Sequence, residues 1–155
     1  LITSKDCPSF GGVYKLACII NEDGTEIPKI KVSENVEKVT NPGNKKILRI
    51  YDKASGKIKA DLITLEDEVF TEDQPLTLEA DTYTIRELLV PIFKKGECVY
   101  ESPSVMDIQA YCTQEKTTLW DESKRLINPQ EVYVDLSRKL YDLKNQLLDD
   151  AHTID

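Results

Sequence analysis

The chain has 155 residues, 40% hydrophobic and 31% charged, the profile of a globular protein rather than a disordered one. Twenty Lys and Arg against 28 Asp and Glu leave a formal charge of −8, which argues against a broad nucleic-acid footprint, since that needs clustered cations. No apolar stretch approaches the roughly 18–20 residues of a membrane span, and early charges and a proline exclude a signal peptide at residues 1–9.

The first residue is Leu1 and the single methionine is Met106, so the chain is expected to be the tail of something longer. Its one histidine, His152, sits in a polar terminus and is expected to be solvent-bathed rather than catalytic. Cys7, Cys18, Cys98 and Cys112 form no CxxC pair and have no histidine nearby, which speaks against zinc. Disulfides are formally compatible with four cysteines; reduced thiols in a cytosolic protein are the favoured reading. A catalytic thiol lacks a histidine to activate it.

Along the chain, Gly11–Ile20 reads as an apolar strand segment, Asn21-Glu22-Asp23-Gly24 as a tight turn and Ile27–Val32 as the returning strand of a hairpin. Polar residues follow from Ser33 to Thr40, then a Pro42-Gly43 turn. Lys46–Tyr51 and Ile58–Ile63 alternate apolar and charged residues around a Ser55-Gly56 turn, as strands with one wet face do. Thr64–Gln74 is acidic and reads as an exposed loop. Pro75–Ala80 and Tyr83–Arg86 are short strand candidates. In the apolar run Glu87–Phe93, Pro91 predicts a sheet edge or bulge. Lys94-Lys95-Gly96-Glu97 turns the chain into Cys98–Tyr100.

The last third changes to helical spacing. Ser104 and Asp107 form a capping-box pattern ahead of Val105, Ile108, Cys112 and Leu119, with Leu126 extending that face until Asn128-Pro129 breaks it. Asp135 is the expected cap of a second helix, whose Leu136, Leu140, Leu143 and Leu147 form one stripe that docks on the sheet. The expected fold class is α+β: a small, mostly antiparallel sheet of hairpins followed by two C-terminal amphipathic helices.

No catalytic, cofactor-binding, substrate-binding or metal-binding residue emerges from this pattern. The acidic run Glu66–Asp73 lacks the alternate-residue oxygens and pivot glycine of a calcium loop. Gly11-Gly12 is too short for a phosphate cradle, and no GxGxxG or GxxxxGK is present. Lys29/Lys31, Lys45-Lys46 and Lys94-Lys95 read as solubilising turn and strand residues. Trp120 reads as a core anchor at a helix end.

Several segments resemble one family. LITSKDCPSFGGVYKL at the start resembles the stretch closing the catalytic barrel of bacterial nicotinate phosphoribosyltransferases, just after a G-V-G-T loop that this chain lacks. KIKVSENVEKVTNPGNKK resembles the start of that family's C-terminal domain. RELLVPIFKKGECVYESPSVMDIQAYC and LWDESKRLINPQEVYVDLSRKLYDLKNQLL are similar to the rest of it. The likeness runs from Leu1 to about Leu148 and is poorest over Thr64–Thr84.

This resemblance implies an enzyme of NAD salvage that makes nicotinate mononucleotide and pyrophosphate from nicotinate and phosphoribosyl pyrophosphate, coupled to ATP hydrolysis. It implies ATP, magnesium and a phosphorylated barrel histidine for the full-length family, none of them carried by this chain. His152 does not match that histidine, and Thr3 and Ser4, though close to the family's phosphate loop, are assigned no contact. Residues 1–27 are then the terminal segment of the barrel and link, and 28–155 the C-terminal domain. The implied location is cytoplasmic. The implied partners are the catalytic barrel and a homodimer mate, with no nucleic acid or membrane.

Two other readings stand beside it. One is a free-standing interaction module, distinguished by a start codon rather than a barrel upstream of Leu1. The other is a small hydrolase with paired carboxylates in a cleft, for which no spacing argues.

Overall fold

The computed structural model describes residues 14–35, 38–73 and 78–152, with the side chain of His152 left out. The described residues fall into two compact units, one drawn from Leu1–Asn44 and Asp142–Asp155, the other Lys45–Tyr141. The expected strand start at 11–13, the Val36 end of the polar turn, Thr3, Ser4, Cys7 and Gly11-Gly12 lie outside the described residues.

In the first unit, β1 (Cys18–Ile20) pairs antiparallel with β2 (Glu26–Pro28). The turn closes as its residues dictate. Gly24 adopts φ +84°, a conformation that costs other residues a Cβ clash, and the Asn21 and Thr25 backbones bond at 3.0 Å. The returning strand is shorter than Ile27–Val32, because Lys31 donates its amide to Thr40 Oγ1 at 2.9 Å rather than to a ladder. Ala17 O accepts from the amides of both Lys29 and Gly43, and Lys144 Nζ donates to Asn41 Oδ1 at 2.8 Å.

The second unit is organised by β3 (Lys45–Asp52) and β4 (Ile58–Leu65), the long hairpin expected from the alternation. β5 (Tyr83–Glu87) pairs antiparallel on the far side of β3. β8 (Tyr133–Leu136) pairs in parallel with β4, giving the order β5-β3-β4-β8. One face of this sheet carries Leu48 and Ile50, both buried; Tyr83, fully buried, donates its hydroxyl to Thr71 O at 3.2 Å in the loop between β4 and β5. That loop holds the outer strand too, for Glu72 Oε1 accepts the Ile85 amide at 3.2 Å.

The acidic stretch after β4 is an anchor as well as a loop. Glu68 Oε2 accepts both the Leu65 amide (2.8 Å) and the Ser137 hydroxyl (2.6 Å), and Lys139 pairs with Asp67 at 2.5 Å. Of the expected strand Pro75–Ala80, residues 75–77 lie outside the described residues and 78–80 are not part of a strand.

Between β5 and β8 the chain is mostly exposed. β6 (Phe93–Lys94) and β7 (Glu97–Cys98) form a minimal hairpin, in which Lys95 (φ +52°) and Gly96 (φ +86°) supply the two positive φ angles of a type I′ turn. The run around Pro91 therefore lies outside the four-stranded sheet. α1 (Val105–Thr118) starts with the expected capping box: Ser104 Oγ accepts the Asp107 amide and the Asp107 carboxylate accepts the Ser104 amide, both at 3.2 Å. It ends at Thr118, earlier than expected. A 3-10 turn (Asp121–Lys124) follows, so Leu126 does not extend the helical face and is fully exposed.

α2 (Arg138–His152) starts later than expected. Asp135 lies in β8, and Ser137 caps the helix instead, accepting the Leu140 amide at 3.2 Å. Leu136 accordingly belongs to the strand, opposite Ile63, while Leu140 is completely buried. The fold is α+β, with small, mostly antiparallel sheets and two helices.

Candidate functional site

The strongest polar constellation lies on one face of the sheet. Register places Arg86, Arg49 and Asp61 in a row across β5, β3 and β4. Arg49 forks onto Asp61 with two bonds of 2.7 Å. Arg86 forks onto Glu115 of α1 at 2.8 and 2.6 Å, and its guanidinium lies 5.2 Å from the centre of the Tyr51 ring. The Arg86 hydrogen bond holds the Glu115 carboxyl below the ordinary glutamate range. Burial pushes the Tyr51 phenol up, and its buried hydroxyl has no partner among the described residues.

Two neighbouring arginines are the natural raw material of a phosphate clamp. Here each already grips a carboxylate in the bidentate geometry a phosphate needs. The arrangement therefore fastens α1 to the sheet. Lys57 adds to it, donating Nζ to the Thr117 and Leu119 carbonyls at 2.7 and 3.0 Å, where the helix C-terminus is electronegative. Trp120, read from sequence as a core anchor, is half exposed; its Nε1 donates to Ile58 O at 2.6 Å. The sequence reading missed Arg49, Asp61, Arg86, Glu115 and Tyr51. For Arg49 and Asp61 the alternation placed both on the hairpin strands, but counting back from the turn sets Arg49 opposite Ala60; the bulge between Ile50 and Tyr51 shifts the register by one and brings Asp61 there.

Other candidates disperse. Cys18, Cys98 and Cys112 are unbridged, in β1, β7 and α1. His152 is the last residue of α2. Lys46 ties the hairpin to the acidic loop by donating to Glu66 O at 2.8 Å, and Lys94 and Lys95 stand at the type I′ turn.

A groove of about 710 Å³ is lined by Asp52, Glu79 and Asp81 among others. The Ser55 hydroxyl and then Lys59 lower Asp52 to about 2, so it stays ionised at neutral pH and cannot serve as a general acid there. A second groove, about 480 Å³, is lined by Ile50, Leu62, Phe70 and Tyr133 with Lys59 and Arg138. Among the described residues no three His, Cys, Asp or Glu side chains come together as metal donors, and no helix is long and apolar enough to cross a membrane.

Comparison with known proteins identifies the segment that carries this architecture. Residues 44–144 match the model of the nicotinate phosphoribosyltransferase C-terminal domain. The chain belongs to that family. It is 38% identical to nicotinate phosphoribosyltransferase of Bacillus subtilis over 94% of this chain and 32% of the relative. It is 31% identical to the Caenorhabditis elegans enzyme of the same name, over 95% of this chain and 27% of that one. The crystal structure of human nicotinic acid phosphoribosyltransferase superposes with a TM-score of 0.61 at 25% identity, over 70% of this chain and 24% of that chain. The chain thus spans about a third or less of the length of these nicotinate phosphoribosyltransferases, and what it shares with them includes the C-terminal domain.

Proposed function

We propose that this chain is the C-terminal portion of a nicotinate phosphoribosyltransferase and serves the reaction structurally, contributing no catalytic, substrate-binding or metal-binding residue. The parent enzyme joins nicotinate to phosphoribosyl pyrophosphate, releasing pyrophosphate and hydrolysing ATP, in cytoplasmic NAD salvage. Residues 1–27 close the catalytic barrel and 28–155 form the appended domain. The observation that carries the reading is coverage: 94–95% of this chain aligns to only 27–32% of relatives bearing that name.

The site chemistry supports the division of labour. Displacing pyrophosphate at an anomeric carbon demands clamped phosphates and stabilisation of developing charge. Among the described residues the two neighbouring arginines are already engaged by carboxylates, and no three His, Cys, Asp or Glu side chains come together as metal donors. The partner in this reading is the remainder of the parent enzyme.

The test is direct. The purified 155-residue chain, given nicotinate, phosphoribosyl pyrophosphate, ATP and magnesium, forms no nicotinate mononucleotide above the enzyme-free control, whereas the full-length protein does. Turnover by the chain alone overturns the structural role; a full-length protein without turnover overturns the enzyme assignment.

A further inference from the structure

We infer that the exposed apolar stretch from Leu89 to Tyr111, centred on the N-terminal half of α1, is the surface on which the rest of the full-length polypeptide docks; this rests on the parentage just proposed. Helix α1 has 14 residues and buries none of them. A helix of that length is marginal in water without a packed face. Val105 is 80% and Met106 70% exposed, with Ile108 and Tyr111 open beside them. The restraints from the sheet act at the helix's other end, through Glu115 and the Thr117 and Leu119 carbonyls. Its first turn is held by its own capping box.

The residues leading into the helix repeat the pattern. Val90 and Phe93 are exposed, and the β6–β7 hairpin has two residue pairs, fewer than an independently stable ribbon needs. Single exposed apolar residues are ordinary; here they recur along one continuous segment of the chain, over a strand pair and half a helix, neither of which buries a face of its own.

The occupant follows from chain length. Since relatives extend far beyond the 27–32% that this chain matches, the covering surface belongs to the same polypeptide. Covalent attachment gives it an effective concentration in the millimolar range, which a second copy in dilute solution does not reach. Its chemistry is an apolar face complementary to Phe93, Met106 and Ile108.

Hydrogen exchange on the native full-length protein and on the 155-residue chain decides the matter. Amides of 108–114, which have helical acceptors, should exchange as slowly as those of β3 and β4 in the full-length protein, and about tenfold or more faster in the 155-residue chain. Met106→Glu with Ile108→Glu in the full-length protein should release α1 while β3 and β4 keep their protection, which separates lost docking from unfolding.

Fast exchange of α1 in the full-length protein overturns the inference. So does equal protection in a monomeric 155-residue chain, or protection there that appears only as two copies associate. Nicotinate mononucleotide synthesis measured on the same full-length sample keeps the two claims apart. An inactive protein with α1 protected removes the enzyme assignment alone, and an active one with α1 unprotected removes the docking surface alone.

Discussion

Between Lys45 and Glu87 the chain covers most of its own apolar residues: Leu48, Ile50 and Ile58 are buried and the loop after β4, which leaves Val69 in solvent, is bonded over Tyr83. Between 89 and 131 the same unit leaves Val90, Phe93, Met106 and Leu126 in solvent although it forms a hairpin and a helix there. The two regions have similar ingredients, turn glycines, proper caps and periodic apolar residues. What separates them is the availability of a second layer. Local signals suffice to shape an element, but burial needs a partner.

The sharpest way to break this contrast is a pair of truncations in the 155-residue chain. Ile58→Ala removes a side chain with 4% exposure and should cost about 2–5 kcal/mol in urea unfolding. Ile108→Ala, at 51% exposure, should stay within about 0.5 kcal/mol. Equal costs would erase the distinction between the regions.

A smaller effect is expected at the tether between them. The Glu115 carboxyl is lowered when folded, so its contribution is complete above the ordinary glutamate pKa of about 4.3 and is lost as pH falls through the lower folded value. Arg86 is partly exposed, and the pair should be worth no more than ~1 kcal/mol. Titrating from pH 7 to 3 should therefore lower the protection factors at 115–118, taken against the intrinsic exchange rate at each pH, before it affects β3. Arg86→Gln should abolish that step.

The smallest effect is at Tyr51, where Tyr51→Phe removes a buried hydroxyl with no partner among the described residues and should leave the unfolding free energy unchanged or slightly raised, by up to ~1 kcal/mol. A clear loss of stability would mean the hydroxyl is bonded in solution.

What could be read from the residues follows the same division. The Asn21–Gly24 turn, the β3–β4 hairpin and the Ser104–Asp107 capping box were legible because short-range chemistry decides them. β8 was not: four residues pair in parallel with a strand far back in the chain, although Val132-Tyr133-Val134 carried the β-branched and aromatic signal. Missing that strand also misplaced the second helix cap, since Asp135 and Ser137 are both good capping residues and the pairing of Leu136 with Ile63 chooses between them. The stripe Val105, Ile108, Cys112 was visible as a pattern, but not the exposure it has in this chain. At the polar cluster, the Arg86–Glu115 fork joins a strand to a helix across 29 positions, beyond what spacing can reveal.

Glu72 sits where the ladder would otherwise continue. By taking the Ile85 amide it plugs the one rim of the sheet that ends in β5, setting a negative charge in the path of any incoming extended peptide. Stacking of copies into fibrils along that side is thereby discouraged, and the sheet's width is capped from within its own sequence.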